Sequence, residues 1–373
     1  MSDNDFTSKS KKLFGSYTIR SKKVAPEYFR TSDSIEQELY FDLPALGLLN
    51  KLLLRLDVTF NSLTAGTDNN NVEWPSLSLL EYAELYCNKD LLQRITNTQL
   101  LSTYNNASLS DKSIIVECSP YNLNLTDGAA ESDSLYVLLK FPILDSIFTL
   151  IDTEYVGKLK LKIKLRKLNE VFTNAETYSL DNINCITQYI VLDDYKAYYN
   201  KKYKKQEKLI IKDFEGENRF LFNATSGTLY QSPLIKLDSK KNVNKTCFYL
   251  HQINNTNIMT ASDFATFKLY NGSELVYETD DFSENLFLNH MEKRFNASIK
   301  DNTASDSYIY CLNHDVHDYH GMSNTLDLSK KNNYHFKFTF LPNFTGPYEL
   351  NIDHEYFKKI MYNNKGQVEM EEV

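Results

Sequence analysis

Glycine and proline are scarce, 11 and 8 in 373 residues, where average usage would give roughly 26 and 19. The two glycines closest in sequence are Gly216 and Gly227. A phosphate-cradling loop needs a pair about five residues apart, and a dinucleotide fingerprint needs three within about six. Both are excluded, and so is a G-x-S-x-G nucleophile elbow. The five cysteines, Cys87, Cys118, Cys185, Cys247 and Cys311, are odd in number and widely spaced, which suggests neither a disulfide framework nor a zinc ribbon. They read as reduced thiols, most of them in the core. No apolar run approaches the ~18 residues of a membrane span. The polar start, Met1 to Phe6, lacks a signal-peptide core, so the expectation is synthesis in a cytosol. A basic excess is missing too: the net charge is −8, which gives no whole-protein footprint for nucleic acid.

What the chain has is β pattern and aromatic weight. At roughly 100–200 residues per domain its length suggests two domains. The first 30 residues depart from the acidic whole. Lys9, Lys11, Lys12, Arg20, Lys22, Lys23 and Arg30 stand against Asp3, Asp5 and Glu27. This segment reads as an extended basic arm, either a solvated tail or a contact for a polyanion or acidic lipid surface.

From about residue 35 the alternation becomes that of strands. Leu52 to Phe60 ends in strict alternation, the mark of a strand packed on one face. Between Lys158 and Arg166, Leu159, Leu161, Ile163 and Leu165 alternate with Lys158, Lys160, Lys162, Lys164 and Arg166. Burying four such apolar side chains is worth roughly 6–12 kcal/mol before entropy. Five like charges on the other face repel, so that face is expected to be wet or to meet an anionic partner. Tyr334, Phe336, Phe338 and Phe340 alternate in the same way with His335, Lys337 and Thr339. Helical patterns are few and short. Asp193 to Lys205 opens with acids and closes with lysines, as a short helix prefers, and falls near the midpoint as a connector.

A repeat decides the architecture. Ala83-Glu-Leu-Tyr-Cys-Asn-Lys-Asp-Leu-Leu92 matches Phe267-Lys-Leu-Tyr-Asn-Gly-Ser-Glu-Leu-Val276 at an offset of 184 residues. The late alternating strand recurs at a similar offset, as Lys158–Arg166 and Tyr334–Phe340. Two matches in the same order, near half the chain length, suggest two copies of one β-domain. About eight strand candidates per half, joined by short turns, fit an antiparallel sandwich of the jelly-roll kind.

Over roughly residues 33–362 the chain resembles the double jelly-roll major capsid proteins of tailless membrane-containing bacteriophages, adenoviruses, virophages and nucleocytoplasmic large DNA viruses. Glu38 to Pro44 followed by Leu52 to Phe60 is similar to the family's opening strands. Glu84-Leu85-Tyr86 and Leu92 to Ile95 resemble its first-domain hairpin, with a helical segment after it. Phe141 to Leu144, Gln188 to Asp193, Leu269 to Gly272, Gly321 to Ser329 and His354 to Ile360 fall where the family places corresponding segments. There is little room for the long loop insertions of eukaryotic members, and the glycine expected after the last strand is present only as Gly366. The compact length points to a phage-like member.

The resemblance implies an all-β fold of two tandem eight-stranded antiparallel jelly-roll β-sandwiches with a few short helices. Its segments would be a basic arm (1–32), a first jelly roll (33–195), a linker (196–206), a second jelly roll (207–362) and an acidic tail (363–373). It implies a homotrimer forming a pseudo-hexameric capsomer that tiles an icosahedral shell around an internal membrane. Partners would be neighbouring trimers, penton or minor capsid proteins and that membrane, with no sequence-specific nucleic acid. The protein would be made in the host cytoplasm and reside in the virion. No catalytic residue, cofactor or metal is implied. Lys9, Lys11, Lys12, Arg20, Lys22 and Lys23 would lie at the inner face, against the membrane or a neighbour.

Two other readings stay open at this point. A carbohydrate-binding or carbohydrate-cleaving β-sandwich suits the 26 tyrosines but is poorly served by the single tryptophan, Trp74. A minor viral spike or vertex protein would share the jelly-roll fold. One cluster has metal-like composition: Cys311, His314, Asp315, His317, Asp318 and His320. It holds no C-x₂₋₄-C pair, and its successive histidines have two residues between them rather than the usual three to five. It reads foremost as a polar loop with acid-sensitive histidines, and secondarily as a metal site.

Overall fold

In the computed structural model, alternation along the chain becomes two β-sandwiches. The structure describes residues 14–29, 37–63, 71–73, 75–105, 122–124, 131–146, 149–171, 175–202, 209–224, 230–237, 239, 242–252, 264–279, 310–313, 326–328, 333–340, 346–362 and 368–372. The first half carries β1 (Tyr17–Val24), β2 (Gln37–Leu43), β3 (Leu48–Leu63), β4 (Asn71–Glu73), β5 (Leu80–Cys87), β6 (Asp90–Thr96), β7 (Asn122–Asn124), β8 (Glu131–Leu138), β9 (Ile151–Asp152), β10 (Leu159–Leu165) and β11 (Ala175–Leu192). The second carries β12 (Leu209–Ala224), β13 (Tyr230–Gln231), β14 (Ile235–Lys236), β15 (Asn242–Gln252), β16 (Phe264–Asn271), β17 (Glu274–Thr279), β18 (Tyr310–Asn313), β19 (Leu326–Asp327), β20 (Tyr334–Phe340), β21 (Gly346–Tyr362) and β22 (Val368–Glu372).

The chain divides into two compact units. The first is Met1–Leu100, Ser113–Ile211 and Lys358–Glu371; the second is Leu101–Lys112, Lys212–Phe357 and Glu372–Val373. In the first, one sheet has the order β1-β11-β3-β8 and the other β2-β10-β5-β6. The pairing is nested: β1 with β11, β2 with β10, β3 with β8, and β5 with β6. A long hairpin folded back on itself in this way is a jelly roll. The second unit repeats it strand for strand, with sheets β12-β21-β15-β18 and β13-β20-β16-β17, and β14 continuing the role of β13.

The one-sided strands bury the faces the sequence marked. Leu159, Leu161, Ile163 and Leu165 on β10 are buried, as are Leu39 and Phe41 on β2 and Leu52, Leu54, Leu56 and Val58 on β3. Each such side chain contributes about 1.5–3 kcal/mol of transfer free energy. In the second unit the core is aromatic. Phe248 on β15 meets Phe336 and Phe338 on β20 with ring centroids 5.7 and 5.3 Å apart, in the tilted and edge-on arrangements that ring quadrupoles favour. Cys87, Cys185 and Cys247 are buried thiols outside any disulfide, and burial pushes the Cys87 and Cys185 thiols up to about 11 and about 12.

Residues 17–24, read from sequence as part of an arm, are the first strand of the sandwich. β1 pairs with β11 from Tyr17↔Leu192 to Val24↔Cys185. Its six central residues are exposed, so it carries no alternation for a sequence reading to find. The midpoint connector contains a helix, Tyr195–Lys202, which follows a turn at Asp193 and Asp194.

Candidate assembly surfaces

The lysine face of β10 is neither bare nor waiting for a partner. Lys160 Nζ lies 2.9 Å from Glu27 and 3.2 Å from Asp42. Lys162 Nζ lies 3.1 Å from Glu38 and 3.7 Å from Glu84, and Lys164 Nζ lies 2.9 Å from Glu81. The register makes this inevitable, because Lys162 sits between Tyr40 on β2 and Glu84 on β5. Burial pushes the Lys162 ammonium down, but hydrogen bonds to Tyr82 and Glu38, with the charge of Glu84, raise it above the ordinary lysine value. The hydrogen bond from Lys162 is in turn the main cause that lowers Glu38. The Tyr82 ring is covered by Arg94 at 4.0 Å and by Lys162 at 5.4 Å. Sequence reasoning saw the lysines and missed the acids. The available signal was the alternation of Glu38, Tyr40 and Asp42 along β2.

β1 is the opposite case. It ends its sheet, and Arg20, Lys22 and Lys23 are exposed with no ion-pair partner among the described residues. Arg20 and Lys22 share one face of the strand and Lys23 takes the other. Ile19 beside them is 57% exposed. Lys9, Lys11 and Lys12 lie outside the described residues.

The two hairpins that the repeat identified each end their own sheet, at the same place in the strand order. β5–β6 and β16–β17 each close on a two-residue turn, with Cys87 opposite Asp90 and Asn271 opposite Glu274. Each shifts register at the same place, between Leu85 and Tyr86 and between Leu269 and Tyr270. Each exposes the same leucine on the edge strand, Leu91 at 40% and Leu275 at 44%. Val276 adds 52% exposure on β17.

The second unit also buries charge. Glu355 Oε1 accepts a hydrogen bond from Asn244 Nδ2 at 2.8 Å and lies 3.0 Å from Lys212 Nζ. Burial would raise this carboxyl, but Lys212 and Lys245, with hydrogen bonds from Lys212 and Asn244, hold it down to about 2. His354 next to it is fully buried. Its Nδ1 lies 3.1 Å from Thr246 Oγ1, its Nε2 has no hydrogen-bond partner among the described residues, and burial lowers it to about 4. Of the metal-like cluster, Cys311 lies on β18, and His314, Asp315, His317, Asp318 and His320 lie outside the described residues. Among the described residues no group of His, Cys, Asp or Glu could hold a metal ion.

No family model matches the chain, and no curated protein matches it. Solved structures do. The PBCV-1 virus capsid chain aligns with a TM-score of 0.72 at 12% identity, covering 96% of this chain and 97% of that one. The Faustovirus major capsid protein aligns with a TM-score of 0.63 at 10% identity, over 93% and 91%. The mavirus major capsid protein aligns with a TM-score of 0.61 at 10% identity, over 94% and 90%. The fold is therefore the double jelly roll of these capsid chains, along nearly their whole length. Because the coverage is nearly complete in each case, length does not sort this chain among virus groups.

Proposed function

We propose that this chain is a major capsid protein of an icosahedral virus, residing in the virion. The observation that carries the reading is duplication. Two jelly rolls with the same strand order and the same hairpin turn follow each other in one chain. Three such chains in a closed ring give six similar lobes, a pseudo-hexameric tile, and symmetric contacts between tiles extend it into a shell. The full-length likeness to capsid chains supports this over a spike or vertex protein. We assign the protein no catalytic role, and take residues 1–32 as the segment that reaches a neighbouring tile, a penton or minor capsid protein, or an internal membrane.

A sugar-binding sandwich is less well supported. It needs open aromatic faces in a groove with paired acids. Tyr82, the most heavily embedded tyrosine of the charged face, is occupied by Arg94 and Lys162, and Trp74 lies outside the described residues. Electron microscopy of the purified protein tests the proposal. Six-lobed tiles or closed shells support it; isolated two-lobed particles at all concentrations, with binding on a glycan array, would transfer the assignment to the sugar-binding class.

A further inference from the structure

Two strands in the described structure end their sheets with complementary chemistry. β1 carries Arg20, Lys22 and Lys23, all exposed and without an ion-pair partner among the described residues, beside the exposed Ile19. β17 carries Glu274 and Glu278, both exposed, beside the exposed Leu275 and Val276. Glu274 has no cation near it among the described residues, and Glu278 pairs with Lys268. Every lysine along the middle of β10 is matched by a carboxylate, so the unmatched charges of β1 stand apart from the lysines of that strand.

An end strand with exposed apolar side chains is a template for pairing and is normally covered or blunted. Charge on β1 blunts it against another basic edge, yet invites an acidic one. We propose that β1 of one copy docks edge to edge on β17 of a neighbouring copy. Ile19 would sit against Leu275 and Val276, and the cations of β1 against Glu274 and Glu278. The contact joins different surfaces of two identical chains, so it is heterologous and propagates around a ring or across a lattice. This rests on the reading of the chain as a self-assembling shell protein and names which strands meet.

The test is charge reversal followed by sedimentation of the full-length protein. The triple variant R20E/K22E/K23E and the double variant E274K/E278K should each raise the concentration needed for assembly by about tenfold or more. All five side chains are exposed, and circular dichroism checks that each variant is folded. The combined fivefold reversal should return assembly to near the wild-type concentration. Unchanged assembly in either single set, or no recovery in the combination, overturns the pairing while leaving the shell reading intact. If R20E/K22E/K23E assembles normally but no longer binds phosphatidylglycerol vesicles, β1 faces a lipid surface and the pairing is likewise overturned. A wild-type chain that stays monomeric instead overturns the shell reading itself.

Discussion

Asn88 and Gly272 hold one structural position, 184 residues apart in the chain. Each is the first residue of a hairpin turn, with φ of 57° and 61°. Each donates its backbone N–H to the carbonyl just before the neighbouring strand, Asn88 to Lys158 at 2.7 Å and Gly272 to Asn333 at 2.8 Å. Left-handed φ costs an ordinary residue roughly 1–2 kcal/mol, and glycine and asparagine are the residues that tolerate it. One copy uses each. A Cβ at Gly272 would meet nothing within 4 Å, so the cost of Gly272→Ala is conformational alone. Thermal melting should show a loss of about 1 kcal/mol for G272A, and less for G272N. Equal losses for both would remove the conformational explanation.

Gly47 is constrained by contact as well. Its φ is 121°, and a Cβ there would lie 2.6 Å from the Ile190 carbonyl oxygen. The Gly47 backbone is also clamped: Thr153 Oγ1 accepts from its N–H at 3.3 Å and donates to its carbonyl at 2.7 Å. Neither side can yield cheaply. Gly47→Ala should cost about 3 kcal/mol or more, or prevent soluble folding. Gly15→Ala, with nothing within 4 Å, is the control that should cost about 1 kcal/mol. Urea denaturation of the two proteins compares them, and similar midpoints would contradict the account.

Acid should weaken the second unit in two steps. Folded His354 is lowered to about 4 by burial, against an ordinary value near 6.5 in the unfolded chain. Between these values the unfolded state binds the extra proton, so stability falls as pH drops through that window. Glu355 is held at about 2, so its contribution is present above its ordinary value near 4.5 and fades as pH falls toward 2. The histidine step amounts to about 3 kcal/mol at most. Unfolding free energies measured between roughly pH 7 and pH 4 should decline for the wild type and be much flatter for His354→Leu. Parallel slopes would show that His354 does not titrate in this window.

The charged face predicts a contrast among lysines. Lys162 is shared by Glu38 and the buried Glu84, so Lys162→Met leaves two carboxylates without it and should cost about 1–2 kcal/mol. A double-mutant cycle with Glu84→Gln should recover part of that as coupling. Lys22→Ala, on the exposed edge, should leave the melting temperature unchanged. A destabilised K22A would mean that β1 contributes to the fold through its charge.

Much of this was legible in the chain. The β5–β6 and β16–β17 hairpins match in residues and in turn position, so the duplication shows in sequence. β10 and β20 reveal their core faces because each has one buried side and one open side. Two features hid themselves for physical reasons. β1 is an end strand with both faces exposed, and a polar edge reads like a polar arm. The strand acids opposite Lys160 and Lys162 (Asp42, Glu38 and Glu84) are more than 70 residues away in sequence, and only the register brings them close. β21 hid its charges differently: residues 350–356 are buried on both sides, so Asp353, His354 and Glu355 break the alternation that would have marked a strand.

The central claim is that the chain assembles as a tile of three. Light-scattering mass of the purified protein measures this directly. The account predicts a stable species of about three times the 43.3 kDa chain, growing into larger particles with concentration. A protein that remains at a single chain mass across the concentration range would contradict it.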